Sequence, residues 1–133
     1  MSLKILVVDD DAGMRHLLQT VLTRSGHQVV VAGDGRVALK HLGAETFDLV
    51  ISDLVMPEVE GLQLLREVRK LPAPPRVIVI SGGGRGNLDN YFEIALKFGA
   101  AGTLAKPFTL HALEEEIARA MALGSAAPDD PES

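Results

Sequence analysis

Ile5-Leu6-Val7-Val8-Asp9-Asp10-Asp11 is an apolar run that ends abruptly in carboxylates, and the same arrangement returns further along the chain. Asp53 follows Leu49-Val50-Ile51-Ser52, Ser81 follows Val77-Ile78-Val79-Ile80, and Lys106 follows Thr103-Leu104-Ala105. Short continuous apolar runs of this kind read as strands buried on both faces. Taken as parallel strands of one sheet, they deliver Asp9, Asp10, Asp53, Ser81 and Lys106 to a single edge. In open α/β sheets ligands bind beyond the carboxyl ends of the strands, at the point where strand order reverses. Three carboxylates, a hydroxyl and an ammonium suit a hard divalent cation and a phosphoryl group.

Working outward, strand-like runs begin near Leu3, Gln28, Asp48, Arg76 and Ala101, and each is followed by helical spacing. After the first strand, Met14, Leu17, Leu18, Val21 and Leu22 form an apolar stripe, with Asp11 as N-cap and Gly26 at the end. Val37, Ala38 and Leu42 mark a second helix ending near Gly43. Leu64, Leu65, Val68 and Leu71 mark a third that Pro72 stops. Leu88, Tyr91, Ala95 and Phe98 give the fourth its stripe; Thr109 caps the fifth, whose stripe is Leu110, Leu113, Ile117 and Met121. A repeated βα unit of this size predicts an α/β fold with right-handed crossovers, its parallel sheet covered on both faces.

A chain of 133 residues, 47% hydrophobic, holds one core and is too short for two ordinary domains. The expected domain is 1–123, and the small, acidic, proline-bearing segment 124–133 reads as a disordered tail. That tail is also readable as the stub of a linker in a larger regulator. Pro72-Ala73-Pro74-Pro75 is a stiff connector, and Ser81-Gly82-Gly83-Gly84-Arg85-Gly86 a mobile loop without the Gly-Lys-Ser/Thr of a phosphate loop. A net charge of −5 argues against direct nucleic-acid binding. No cysteine is present, so disulfides and thiolate metal sites are excluded. No run is long enough to span a membrane and no signal-peptide pattern precedes the first strand, which predicts a cytoplasmic protein. His16, His27, His41 and His111 share no metal-ligand spacing and read as surface or helix-flank residues.

The segments LVVDDD (6–11), VISDLVMPEVEG (50–61), VIVIS (77–81) and AKPF (105–108), in this order, resemble the receiver domain of two-component response regulators, most of all its stand-alone, CheY-like members. The resemblance covers Leu3 to Leu123. It implies a doubly wound, flavodoxin-like (βα)5 fold with strand order 2-1-3-4-5. It makes Asp53 the phosphoacceptor, taking a phosphoryl group from a sensor histidine kinase or histidine phosphotransfer protein. Asp10 becomes a direct Mg²⁺ ligand, Asp9 acts through water, and the backbone carbonyl of Val55 completes the protein's share. Lys106 holds one phosphoryl oxygen as a point charge and Ser81 donates a hydrogen bond to another. The family's Lys-Pro bond, here Lys106-Pro107, is usually cis. Output is a changed protein-binding surface that docks a downstream effector or passes the phosphoryl group on, so the chain is a signalling phosphoacceptor rather than an enzyme.

Two features depart from the family pattern. Where it commonly has a switch aromatic, three residues before the lysine, this chain has Thr103. The segment from Ser81 to Gly99 runs about three residues longer than expected, in its glycine-rich part, so this loop with Tyr91 or Phe92 is expected to take over the readout. Glu58 and Glu60 near the acceptor bear on the placing of an attacking water. Among competing readings, Asp11 is best explained as a cap alone. A small aspartate-nucleophile phosphatase is the alternative function, but its chemistry usually wants a second Asp two residues after the nucleophile, where Val55 stands. A flavin carrier of the same topology is disfavoured because acidic strand ends repel a flavin phosphate.

Overall fold

Alternation along each strand sorts the apolar residues into two separate cores. The computed structural model describes residues 2–53, 60–81 and 88–122, and only the main chain of 60–62 and 88–92. Five strands, β1 (Lys4–Val8), β2 (Gln28–Ala32), β3 (Leu49–Asp53), β4 (Arg76–Ser81) and β5 (Gly102–Ala105), alternate with helices α1 (Ala12–Arg24), α2 (Gly35–Ala44), α3 (Glu60–Arg69), α4 (Leu88–Lys97) and α5 (Leu110–Ala122). The strands form one parallel sheet in the order β2-β1-β3-β4-β5, as the resemblance implied.

Ile5, Val7, Leu49, Ile51, Ile78 and Ile80 face Leu18 and Leu22 of α1 and Leu113, Ile117 and Ala120 of α5. Leu6, Val8, Val50, Val77 and Val79 face the opposite way, onto Ala38 and Leu42 of α2, Leu64, Leu65 and Val68 of α3, and Ala95 of α4. Successive strand residues point to opposite faces, so a run with no polar interruption fills both layers at once. The sheet is therefore doubly wound, with α1 and α5 on one face and α2, α3 and α4 on the other.

Local signals hold at the helix ends. The Asp11 side chain accepts the Gly13 N–H at 2.9 Å and Thr109 Oγ1 accepts the Ala112 N–H at 3.0 Å. Asp34, a cap not foreseen, accepts the Val37 N–H at 2.9 Å. Past α1, Gly26 adopts φ 97°, a left-handed conformation that glycine takes without a Cβ penalty.

The apolar stripes expected from sequence are too broad at three points. Leu17 is 49% exposed, Val37 39% and Leu110 48%. A helix lying on a flat sheet covers a narrower arc than the i, i+3, i+4 pattern allows, so residues at the margin of the stripe stay in solvent. Strands expected from Leu3, Asp48 and Ala101 begin one residue later. Val55, Met56-Pro57, Glu58, the Gly82–Gly86 stretch, the tail from Gly124 and the side chains of Glu60, Leu88, Tyr91 and Phe92 lie outside the described residues.

Candidate functional site

Register brings the strand ends level. Val8 pairs with both Ala32 and Ser52, Asp53 with Ile80, and Ser81 with Ala105. Residues at or just past these positions emerge at one edge, beside the gap between β1 and β3 where the chain reverses its order of strand addition. Asp48, just before β3, lies at the other edge, where its carboxylate accepts the Lys4 N–H at 2.9 Å.

At the carboxyl edge, Asp9, Asp10 and Asp53 each place a carboxylate oxygen within 4.8 Å of the others. Asp9 is 1% exposed and Asp53 7%, whereas Asp10 is open to solvent. Lys106 reaches across from β5, its Nζ lying 3.3 Å from Asp9 Oδ2 and 3.4 Å from Asp53 Oδ2. Burial disfavours the Lys106 ammonium, but the Asp53 and Asp9 carboxylates outweigh it and raise its pKa above the ordinary lysine value. Ser81 is fully buried at the end of β4, and its carbonyl accepts the Lys106 N–H at 2.9 Å, which ties the ends of β4 and β5 together. The Lys106–Pro107 peptide bond is cis.

Asp9 is held at every polar atom. Its N–H donates to the Ala32 carbonyl at 3.1 Å, its Oδ1 accepts the Asp11 N–H at 2.9 Å, and its carbonyl accepts from Arg15 Nη1 at 2.6 Å. The Asp10 carboxylate has no hydrogen-bond partner among the described residues. Arg15 was missed from sequence, since a lone basic residue within a helix carries no signal of its partner. Ser52 was also missed: it is buried beside Asp53, and its Oγ donates to the Asp53 carbonyl at 3.2 Å.

Clustered carboxylates repel one another, and a single ammonium offsets only part of that charge. Hard oxygen donors at this spacing, one of them open to solvent, match what a hard divalent cation requires. The site thus combines a carboxylate cluster able to hold a cation with a fixed positive charge able to hold an oxyanion.

Comparison with known proteins gives one answer. The family described as "Response regulator receiver domain" matches residues 5–118. The response regulator protein FleR of Pseudomonas aeruginosa is 38% identical over 120 residues, covering 90% of this chain but only 24% of FleR. The chain thus spans about a quarter of that relative's length. A chemotaxis protein CheY homologue of Campylobacter jejuni is 34% identical, with 92% of this chain and 95% of the homologue covered. The solved structure of response regulator protein TrrA from Thermotoga maritima, in complex with Mg²⁺-BeF, superposes with a TM-score of 0.75 at 29% identity, covering 88% of this chain and 97% of TrrA. These likenesses lend no support to the phosphatase alternative. With its five-stranded order, its acidic cluster and a match over most of its length, the chain belongs to the response regulator receiver domains, the CheY-like signalling modules of two-component systems.

Proposed function

We propose that Asp53 is the phosphoacceptor of this receiver domain and that it takes its phosphoryl group from a histidine kinase or histidine phosphotransfer protein in a Mg²⁺-dependent reaction. The observation that carries this reading is the position of Lys106 Nζ between the carboxylates of Asp9 and Asp53, beside the open carboxylate of Asp10. In the transfer, an Asp53 carboxylate oxygen forms the new P–O bond while the P–N bond of the donor's phosphohistidine breaks, its electron pair staying on the imidazole. Phosphoryl transfer of this kind asks for positioning and charge neutralisation more than covalent machinery.

The commitments of the two neighbouring aspartates support different parts. Asp9 is engaged by Lys106 and the Asp11 N–H, which suits a role through water; Asp10 is free to bind a cation directly. Asp10 and Asp53, with the Val55 carbonyl, would hold the Mg²⁺ directly, and TrrA's complex with Mg²⁺-BeF supports magnesium as the cation. When bound, the cation supplies neutralisation of the carboxylate cluster and of the phosphoryl oxygens. Lys106 then holds one phosphoryl oxygen and Ser81 donates to another. We assign residues 1–123 to the receiver and 124–133 to an appended tail, with output through a protein effector in the cytoplasm.

The test is intact mass after incubation with Mg²⁺ and acetyl phosphate, beside Asp53→Asn and a metal-free control. One added phosphoryl group that requires both Asp53 and Mg²⁺ is expected. An adduct that persists in Asp53→Asn, or no adduct under any condition, would overturn the assignment.

A further inference from the structure

The cation site proposed above depends on Asp10, yet nothing in the Asp10 side chain fixes where it points. Its carboxylate is exposed and has no hydrogen-bond partner among the described residues. The preceding peptide is another matter. The carbonyl of Asp9 accepts from Arg15 Nη1 at 2.6 Å, the shortest of the contacts that hold Asp9. Because a peptide unit is planar, that carbonyl and the Asp10 N–H turn together. Fixing the carbonyl therefore fixes the Asp10 N–H and Cα, the point from which its side chain leaves the chain.

Arg15 is itself seated. It lies in α1, a helical turn beyond the acidic pair, and its guanidinium passes beside Gly33 just after β2, where an added Cβ would stand 3.3 Å from Nη1. The guanidinium forms no salt bridge among the described residues. Its charge adds to the positive potential beside a site for a divalent cation, which by Coulomb's law alone opposes binding.

We propose that Arg15 is a positioning residue of the cation site: it locks the Asp9–Asp10 peptide so that the Asp10 carboxylate is presented to the metal. This rests on the reading of Asp10 as a Mg²⁺ ligand. Groups that orient a metal ligand without touching the metal typically change affinity by about 10- to 100-fold when removed.

Isothermal titration calorimetry of the full chain with Mg²⁺ decides it, using the parent, Arg15→Met, Arg15→Lys and Asp10→Asn. Arg15→Met is expected to bind Mg²⁺ about tenfold more weakly although a repelling charge is gone. Arg15→Lys, which keeps the charge but not the planar fork, falls between the two. Tighter binding by Arg15→Met would mean that Arg15 acts by charge alone. Unchanged affinity with a lowered melting temperature would mean that it only braces the loop. Either result overturns the proposal while leaving the site intact. If instead the parent binds no Mg²⁺, or Asp10→Asn binds as the parent does, the underlying site reading fails and the role of Arg15 falls with it.

Discussion

The carboxylate of Glu116 on α5 accepts the main-chain N–H of Thr103 on β5 at 3.0 Å. β5 is an edge strand, and an edge leaves every second N–H without a sheet partner. Glu116 fills that role for Thr103 and is braced in turn by Arg119 one helical turn on. A side chain at Gly102 would collide with the Glu116 carboxylate, so glycine there leaves room for the contact. The clamp sits at the position where the family usually carries its aromatic ring.

Removing the acceptor should loosen this edge. Glu116→Ala is expected to cost about 1–2 kcal/mol in urea unfolding and to speed exchange of the Thr103 amide. Glu116→Gln, which keeps an acceptor oxygen, should cost less than about 1 kcal/mol. Equal losses in the two variants would show that packing, not the hydrogen bond, is what Glu116 contributes.

Lys106 compensates two buried carboxylates. With metal removed by chelation, Lys106→Met is expected to lose about 2–3 kcal/mol, below the usual range for breaking a buried pair because the ammonium is partly exposed. Added Mg²⁺ should restore more stability to the variant than to the parent, read as the shift in melting temperature. The pH dependence has a definite sign. The folded-state pKa of Lys106 is raised above 10.5, so its contribution is complete below pH 10.5 and is lost as pH rises through the higher folded value. On the alkaline side, the gap between metal-free parent and variant should therefore narrow as pH rises above 10.5.

Gly99 follows α4 with φ 104°, and its Cα faces the side chain of Arg69, which donates to the Phe98 carbonyl at 3.2 Å. Gly99→Ala meets both a left-handed backbone and a collision with the guanidinium, and is expected to destabilise by about 2–3 kcal/mol. Arg69→Met should cost under about 1 kcal/mol, since the helix end it caps is exposed. The double variant should lose less than the sum, because shortening Arg69 relieves the collision; strict additivity in chemical unfolding would refute the contact.

Asp34 and Asp11 cap α2 and α1 in the same chemical manner, but only Asp11 adjoins the acidic pair. Each Asp→Ala change is expected to cost about 1 kcal/mol in thermal or chemical unfolding. Calorimetric Mg²⁺ affinity should be untouched in Asp34→Ala, which makes it the control for changes near the site.

Much of this was legible in the primary structure. Uninterrupted apolar runs ending in Asp9, Asp53 and Ser81 determined parallel strands and the edge at which chemistry gathers, because side-chain alternation and helical spacing are local properties of the chain. Asp11 and Thr109 declared themselves as caps for the same reason. The margins of the helical stripes did not: whether Leu17 and Leu110 are covered depends on how far the sheet extends beneath each helix. Nor did any local pattern show Arg15 reaching the Asp9 carbonyl, or Glu116 reaching across to Thr103. The meeting of Lys106 with Asp9 and Asp53 spans 97 and 53 residues of chain. Composition and order named those residues as candidates. The register of five strands and the distribution of helices over two faces set the distances between them, and these are decided only when the whole core packs.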